Sequence, residues 1–320
     1  MTNDLVLDVE LIGNIAATEV GTFDLQIAKG EDSKKTLEPF AGGPLVLRGN
    51  AFDVGTHHTW EGLVHVMNDL TLPASHALSI APGTRVLLAP GVGLTVSGSL
   101  QCSGTEELPI AWASLDPNGV WAGIVHRGSS MTVAYTSITQ VETGVSQEGG
   151  GPLRLERVMI NAAIRALRLN HPDSVTTVAD AIFESGGSGI DVSNDSIATF
   201  ERVTVSAKEN AFLGTGAQVT ILDSIIEGDQ VGVDITGEID ISGSVVRGAS
   251  DVGIQVKGSV RVNHTLFVDC STAVHGETGS FEGDHLTMVG PLGFLIDDSV
   301  DAVNVSSSIL ATDTVATGNV

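Results

Sequence analysis

Large apolar residues recur along this chain with a period of 20 to 23 residues, from about Met131 to the C-terminus. The first core position of each unit, which we call the anchor, can be placed at Val133, Leu155, Val178, Phe200, Ile221, Ile241, Val262, Gly283 and Val305. The position five residues later is always large and apolar: Ile138, Ile160, Phe183, Val205, Ile226, Val246, Phe267, Met288 and Leu310. This pattern predicts a repeat protein in which equivalent core positions stack on one another.

A pair made of one small and one large residue follows each of the first eight anchors, and its large member stands 11 to 13 positions after the anchor. These pairs are Gly144-Val145, Ala166-Leu167, Gly189-Ile190, Ala211-Phe212, Gly232-Val233, Gly253-Ile254, Ala273-Val274 and Gly293-Phe294. Short runs such as Val260-Arg261-Val262 alternate apolar and polar residues, and a period of two is typical of β-strands. Each unit therefore predicts three short strands.

A fixed period of this length, broken by Gly, Ser, Asn and Asp, is typical of a solenoid. Helical repeats such as ankyrin or tetratricopeptide units need about 33 to 34 residues and a helical periodicity. Leucine-rich repeats need an L-x-x-L-x-L pattern with an Asn at a set offset, and neither recurs in this chain. The segments are also rich in Val, Ile and Thr, which favour strands. We therefore predict an all-β fold, a parallel β-helix with three strands per turn.

The segments upstream of the repeat add a resemblance to a known group of proteins. Turn and core signals follow one another in residues 78–86 (LSIAPGTRV), 94–100 (LTVSGSL), 104–105 (GT), 109–110 (PI) and 121–124 (WAGI). In this order the chain resembles the right-handed parallel β-helix proteins of the pectin-lyase-like superfamily, of the bacterial surface or extracellular type. The resemblance implies the fold and a location outside the cell or at its surface. It implies no particular activity, because one fold supports many functions.

The repeat divides the chain into three parts. Residues 59–310 form the predicted β-helix, and residues 311–320 form a tail that is too short for a whole turn. Residues 1–58 do not fit the repeat, and they either cap the first coil or form a small β-domain. A cap is favoured because an uncovered solenoid end exposes strand edges and core side chains. At the other end, either the tail folds over the last coil or another molecule covers it.

The chain is strongly acidic, with 39 Asp and Glu against 15 Lys and Arg and a formal net charge of −24. Such a surface repels nucleic acid and anionic membranes, so neither is expected as a partner. The acids keep a strand-rich rod soluble and leave the binding of Ca²⁺ open, while no other cofactor is predicted. No apolar run approaches the roughly 18 residues of a membrane span. The start of the chain lacks the basic and apolar regions of a secretion signal.

Cys102 and Cys270 are separated by about eight turns of the predicted coil, which places them about 40 Å apart at about 4.8 Å per turn. A disulfide needs Cα atoms within roughly 7 Å of each other. The sequence therefore predicts two free thiols with a structural role.

The outward positions two residues after the anchors form a first candidate surface, which we call the ridge. They read Tyr135, Arg157, Asp180, Arg202, Asp223, Gly243, His264, His285 and Ser307. The alternating charges from Arg157 to Asp223 predict a ladder of exposed salt bridges, each contributing roughly 0 to 1 kcal/mol. His264 above His285 offers two ligands for a divalent metal, but a solvated pair is the simpler interpretation without a third ligand. We therefore predict no metal site there.

The residues that follow the small-large pairs form the best candidate for catalysis. They read Ser146, Arg168, Asp191, Leu213, Asp234, Gln255, His275 and Leu295. Asp234, Gln255 and His275 fall on three successive turns, which would set a carboxylate beside an imidazole for acid–base chemistry. The resemblance implies aspartate pairs with Gly-His-Gly and Arg-x-Lys motifs in glycosidases, and only Asp297-Asp298 and His275-Gly276 echo them. Asp234 and His275 are therefore the candidate catalytic residues.

The tryptophans offer a second type of site. Sugar-binding clefts use flat aromatic rings with a polar edge, and Trp60, Trp112 and Trp121 fall near the N-terminal coils. The resemblance implies a turn and core role for Trp121. A carbohydrate platform is the alternative.

Two functions remain open, and the sequence inclines against an enzyme without deciding the matter. The preferred hypothesis is a non-enzymatic structural or adhesive rod, extracellular or at the cell surface, that self-associates or contacts other surface proteins or polysaccharide. The alternative is a polysaccharide lyase or glycoside hydrolase that uses the surface around Asp234 and His275.

Overall fold

The computed structural model of this chain describes residues 44–47, 52, 55–172 and 174–318. These residues wind through about twelve turns of a parallel solenoid. The first strands are β1 (Leu45–Leu47), β2 (His57–Trp60), β3 (Leu63–Val66), β4 (Leu70–Leu72), β5 (Ala77–Ile80), β6 (Arg85–Leu88), β7 (Gly93–Val96), β8 (Ser99–Ser103), β9 (Ile110–Ser114) and β10 (Gly123–His126). No helix in these ranges is long and apolar enough to cross a membrane.

The remaining strands follow the repeat. The central strands are β11 (Ser130–Gln147), β12 (Leu153–Asn170), β13 (Val175–Ala179), β14 (Ile182–Ser185), β15 (Ser188–Ser193), β16 (Ile197–Glu201), β17 (Thr204–Ala207), β18 (Asn210–Leu222) and β19 (Ile225–Gly228). The last strands are β20 (Val231–Ser242), β21 (Val245–Arg247), β22 (Val252–Asn263), β23 (Leu266–Val268), β24 (Thr272–Asp284), β25 (Thr287–Ile296), β26 (Val300–Ser306) and β27 (Ile309–Gly318). The longer strands run through more than one side of the coil.

The strands pair in parallel with their equivalents in neighbouring turns and build three faces. Face one contains the anchors, which pair in one ladder from Val133 to Val305. Face two contains the positions five residues later, which pair from Ile138 to Leu310. Face three contains the large members of the small-large pairs, from Val145 to Phe294. The predicted all-β parallel β-helix is confirmed.

The core lies along the axis of the coil, between the three faces. Ile226 on face two is fully buried, and so are its ladder neighbours Val205 and Val246. Each such side chain contributes about 1.5 to 3 kcal/mol through burial, before the conformational entropy of the ordered chain is subtracted. Stacked aliphatic side chains therefore stabilise each turn through the turns beside it.

The small member of each small-large pair allows two backbones to approach closely. A Cβ added to Gly232 would lie 2.4 Å from the carbonyl oxygen of Gly253, its equivalent one turn later. A Cβ added to Gly189 would lie 2.6 Å from the carbonyl oxygen of Ala211. Even a methyl group at these two glycines would require the backbone of the next turn to shift.

The ridge is a sharp corner between faces one and two, which the sequence pattern did not predict. All of its non-glycine members have positive φ, from 47° at Tyr135 to 53° at Arg157 and Asp180. Residues other than glycine rarely adopt this left-handed conformation, although Asn, Asp and His do so more often than most. The repeat therefore fixes a backbone conformation at a position where the residue type varies.

The three tryptophans pack inside the N-terminal coils. Trp60, Trp112 and Trp121 are 3%, 1% and 0% exposed, and the ring centroids of successive members lie 6.2 and 6.0 Å apart. Rings buried in this way present no face to a sugar. The platform hypothesis is wrong, and the rings belong to the core.

Strand pairing extends beyond both predicted boundaries of the coil. β1 pairs in parallel with β3, and β27 pairs with β25 as far as Gly318 opposite Ile296. Residues 311–318 therefore continue the coil instead of forming a tail, because they extend the pairing that begins at Ile309 and Leu310. The predicted cap or small β-domain in residues 1–58 falls mostly outside the described residues.

Both cysteines are buried free thiols, as predicted. Burial raises the pKa of Cys102 to about 11, against the lowering effect of hydrogen bonds with Thr136 and Trp112. Burial is also the main cause that raises the pKa of Cys270. Because the thiolate is the nucleophilic form, neither side chain is suited to catalysis near neutral pH.

Candidate functional site

Face three carries a column of outward polar side chains and a second group beside it. Asp234, Gln255 and His275 pair in register on three successive turns, in strands β20, β22 and β24. Lys257, Glu277 and Asp297 stand two residues further along the chain than Gln255, His275 and Leu295. The ladder shifts register between Val256 and Lys257, so Lys257 pairs with Thr278. We call these six residues the face-three site.

His275 is held between two neighbours in the face-three site. The side-chain amide nitrogen of Gln255 lies 3.0 Å from His275 Nδ1, and Oδ1 of Asp297 lies 3.4 Å from His275 Nε2. Gln255 is buried, whereas the side chains of His275 and Asp297 are 18% and 48% exposed. The imidazole is therefore oriented from the protein side and reaches solvent, as a proton-transfer group requires.

Lys257 supplies a positive charge to the same site. Its Nζ lies 2.8 Å from Oδ1 of Asp234 and 3.8 Å from Oε2 of Glu277. Partial burial lowers the pKa of Lys257, but the hydrogen bond and charge of Asp234 and the charge of Glu277 outweigh this effect and raise the pKa. Lys257 is therefore a cation near neutral pH, suited to binding an anionic group and not to accepting a proton.

A second cationic cluster lies on face three toward the N-terminus. Nη1 of Arg165 lies 3.6 Å from Oδ2 of Asp191, and Nε of Arg168 lies 3.9 Å from the same oxygen. Two guanidinium groups thus share one carboxylate, which leaves a net positive charge. The Nε atoms of Arg165 and Arg168 are buried without a hydrogen-bond partner in the described structure. The donor capacity of both arginines is therefore not saturated.

The structure separates the two predicted catalytic residues from each other. Asp234 and His275 lie two turns apart, with Gln255 between them, which corresponds to about 10 Å along the coil. Asp234 contacts Lys257, and the carboxylate beside the imidazole is that of Asp297. The expected contact between Asp234 and His275 is therefore absent, although both residues belong to one site.

Lys257, Glu277, Asp297 and Arg165 were not predicted as site residues. The sequence interpretation followed only the residues directly after the small-large pairs. Lys257, Glu277 and Asp297 stand two residues further along the chain. Arg165 stands one residue before a small-large pair, where the pattern gives no signal of its contact with Asp191.

Among the described residues, one ion pair joins two members of the ridge, in place of the predicted ladder. Nε of Arg202 lies 2.6 Å from Oδ1 of Asp180. Arg157 instead pairs with Glu106 at 3.9 Å, and among the ion pairs of the described residues none joins Arg202 to Asp223. The ladder prediction is therefore wrong except for Asp180 and Arg202, because the guanidinium of Arg157 lies over the ring of Tyr135, 5.0 Å from its centroid.

His264 and His285 stack on the ridge, with ring centroids 4.7 Å apart. Nδ1 of His285 also lies 2.7 Å from Oδ2 of Asp284. Across the described ranges, no group of three or more His, Cys, Asp and Glu side chains could hold a metal ion. The binding of Ca²⁺ by the acidic surface stays a prediction.

Of three comparisons with known proteins, the one with solved structures finds similar proteins. No protein-family model and no curated protein matches the chain. A solved periplasmic alginate epimerase is similar, with 12% identity over 77% of this chain and 76% of that chain and a TM-score of 0.47. The A-module of a mannuronan C-5 epimerase from Azotobacter vinelandii has 10% identity over 80% of this chain and 91% of that chain, with a TM-score of 0.47. An alginate lyase from a Paenibacillus species has 15% identity over 73% of this chain and 93% of that chain, with a TM-score of 0.33.

This chain is a parallel β-helix protein. At 10 to 15% identity the similarities concern the fold, and the unbroken ladders of the three faces carry the assignment independently. The parallel β-helix fold that the resemblance implies is confirmed.

The prediction of a non-enzymatic structural or adhesive rod is wrong. The solved structures that are similar to this fold are named as alginate or mannuronan epimerases and an alginate lyase. The exterior of this coil is also not featureless, because face three groups an imidazole, three cations and their carboxylate partners on one side. The sequence pattern already placed Arg168, Asp191, Asp234 and His275 in one column, but it missed Arg165 and Lys257.

Proposed function

We propose that this protein is a polysaccharide lyase that binds an acidic polymer along face three and uses His275 to transfer the proton. The observation that carries the proposal is the position of a partly exposed imidazole, held by Gln255 and facing Asp297, on the same face as the cation Lys257. Elimination beside a carboxylate needs a positioned proton acceptor and a cation that stabilises the developing negative charge.

Three cations on face three favour an acidic substrate. Arg165 and Arg168 share the single carboxylate of Asp191, and Lys257 lies further along the same face. Guanidinium groups bind carboxylates through parallel N–H donors. From Arg168 to His275 the face spans five turns, about 24 Å, which is long enough to contact several units of a polysaccharide.

The proposed reaction is an elimination at a uronate unit. His275 removes the proton from the carbon that bears the carboxylate, and the electron pair of that C–H bond forms a carbon–carbon double bond. The bond from the adjacent ring carbon to the glycosidic oxygen breaks, and that oxygen takes a proton from the imidazolium or from water. A cation in the position of Lys257 stabilises the negative charge that develops on the substrate carboxylate.

The contact with Gln255 controls which nitrogen of His275 accepts the proton. When the Gln255 amide donates to Nδ1, the imidazole carries its own proton on Nε2, toward Asp297. When the amide is reversed, its oxygen accepts from a protonated Nδ1, and Nε2 is free to accept a proton. The same residue can thus act as a base and then as an acid.

The first test is product analysis with alginate, pectate and a neutral glucan. We expect unsaturated chain ends from an acidic polymer and none from the neutral glucan. The substitution His275→Asn should lower the rate about a hundredfold to ten-thousandfold, which is the usual contribution of a positioned proton-transfer group. Asp234→Ala should also lower the rate, because Lys257 loses the partner that holds it.

His264→Asn is the matched control. His264 is exposed on the ridge, outside face three, and asparagine tolerates its positive φ. This variant should keep full activity. New reducing ends without unsaturation would indicate hydrolysis and contradict the lyase, and full activity of His275→Asn would contradict the role of His275.

A location outside the cytoplasm is part of the proposal. A polymeric acidic substrate and the resemblance to surface or extracellular β-helix proteins both support it. Fractionation of the producing cells should recover the protein outside the cytoplasm, and its recovery in the cytoplasm alone would contradict this location.

A further inference from the structure

A groove lies beside the ridge in the N-terminal part of the coil. From Tyr135 onward, one left-handed residue leads the chain from face one to face two. In the preceding turn the longer loop of residues 104–109 makes this connection, between β8 and β9. The groove has a volume of about 410 Å³ and lies where this loop meets the ridge. A volume of this size falls within the range of small-ligand sites.

Backbone hydrogen bonds fix the loop against the coil. The N–H of Gly104 donates to the carbonyl of Ala134 at 3.0 Å. The N–H of Gly83 donates to the carbonyl of Leu108 at 2.9 Å. A Cβ added to Gly104 would lie 2.5 Å from the carbonyl oxygen of Tyr135, so a side chain there would push the two backbones apart. The groove is therefore formed by the folded coil itself.

Part of the groove is apolar or aromatic. Pro109 and Met159 line it, and Met159 is 42% exposed. Tyr135 is partly exposed and is the only tyrosine in the chain. The guanidinium of Arg157 lies over its ring, 5.0 Å from the centroid, and this cation–π contact orients the ring. These side chains offer a surface on which the C–H groups of a ligand can pack.

The polar groups of the groove are available to a ligand. Nη1 of Arg157 lies 3.9 Å from Oε2 of Glu106, which is too long for a hydrogen bond. Both side chains are well exposed, so this ion pair is weak. Among the described residues, no hydrogen bond engages the Glu106 carboxylate or the hydroxyl groups of Tyr135 and Ser137. The groove therefore presents donors and acceptors that the protein itself does not use.

The charges in the groove cancel. Of the described residues that line it, only Arg157 and Glu106 are charged. The groove thus differs from face three, where Lys257 and two arginines supply positive charge. A ligand with several hydroxyl groups fits, because each hydroxyl can both donate and accept a hydrogen bond.

We propose that this groove binds a neutral saccharide. Hydroxyl groups of the sugar accept from the guanidinium of Arg157 and donate to the carboxylate of Glu106, while its C–H groups pack on Pro109 and Met159. An anionic sugar would gain the contact with Arg157 but would also meet Glu106, and like charges across an interface are unfavourable. This binding does not depend on the chemistry proposed for face three.

The single tyrosine allows a direct test. Incorporation of 3-fluorotyrosine gives one fluorine signal, from position 135. The neutral probes are the β-1,4-linked trisaccharides of mannose and of glucose, and the acidic counterpart of the first is trimannuronate. A neutral probe at up to about 10 mM should shift the signal in a saturable way. Trimannuronate should shift it less, and binding of any probe at face three leaves the signal in place.

Two ridge arginines supply matched variants. Arg157 and Arg202 have φ of 53° and 52°, and asparagine tolerates this conformation. Arg157→Asn should weaken the neutral trisaccharide about tenfold, because hydrogen bonds to a charged group are lost. Arg202→Asn, outside the groove, should leave binding unchanged. Neither substitution should alter the formation of unsaturated ends from an acidic polymer.

Three results would overturn the proposal. The first is a fluorine signal that neither neutral probe shifts. The second is an equal or larger shift with trimannuronate, which would assign the groove to anionic sugars. The third is equal weakening by Arg157→Asn and Arg202→Asn, which would trace the effect to the ridge in general and not to this groove.

Discussion

His126 is a buried imidazole whose surroundings fit its neutral form. The backbone N–H of Gly128 donates to Nδ1 at 3.4 Å, and Nε2 donates to the carbonyl of Gly151 at 3.2 Å. Burial lowers the pKa of His126, against the raising effect of hydrogen bonds with Gly151 and Pro152. Protonation of Nδ1 would remove the acceptor that the N–H of Gly128 uses.

We therefore expect the protein to lose stability as the pH falls below about 6.5, the ordinary pKa of an unfolded histidine. Between that value and the lower folded pKa of His126, the unfolded chain binds more protons than the folded chain. The free energy of unfolding therefore decreases as the pH is lowered through this range. Thermal melting between neutral and mildly acidic pH measures the effect. His126→Gln should reduce the pH dependence, whereas His264→Gln, at an exposed position, should not. Equal pH dependence in wild type and His126→Gln would contradict this account.

At the same scale, the sequence could predict some site residues but not their contacts. Asp234 and His275 occupy regular ladder positions, so their placement on one face follows from the repeat alone. The ladder shifts register between Val256 and Lys257. An alignment of repeats therefore cannot tell which carboxylates Lys257 will meet, because the shift depends on the folded backbone.

At the scale of the strand, the core ladders from Val133 onward could be predicted, because each core position packs against the same position one turn away. The close approach at Gly232 and the burial of Ile226 are two results of that stacking. The left-handed corners could not be predicted. Positive φ at Tyr135 and Arg202 is imposed by the path of the coil and not by the preference of either residue.

Ile226→Ala tests the stacking of the core directly. Ile226 is fully buried, and removing several carbons from such a site usually costs about 2 to 5 kcal/mol in the free energy of unfolding. Chemical denaturation measures this loss. Ile182→Ala is the matched control, because Ile182 is 46% exposed and should lose much less. Similar losses in the two variants would mean that Ile226 does not face the core.

At the scale of the whole molecule, each turn of a solenoid contacts only its neighbours, so distant surfaces can serve different purposes. Face three is a long, continuous surface with a cationic cluster near Arg168 and a proton-transfer group at His275. The groove beside Tyr135 is a separate surface whose charges cancel. The regular repeat predicted the coil and the column from Arg168 to His275, but it could not predict that Arg165 and Lys257 join the same face.

The most direct test of the account is a crystal structure of the His275→Asn variant with a bound acidic oligosaccharide. The account predicts that the sugar chain lies along face three, with its carboxylates near Arg168 and Lys257 and a ring beside position 275. An oligosaccharide bound on the ridge or on another face, with face three empty, would contradict it.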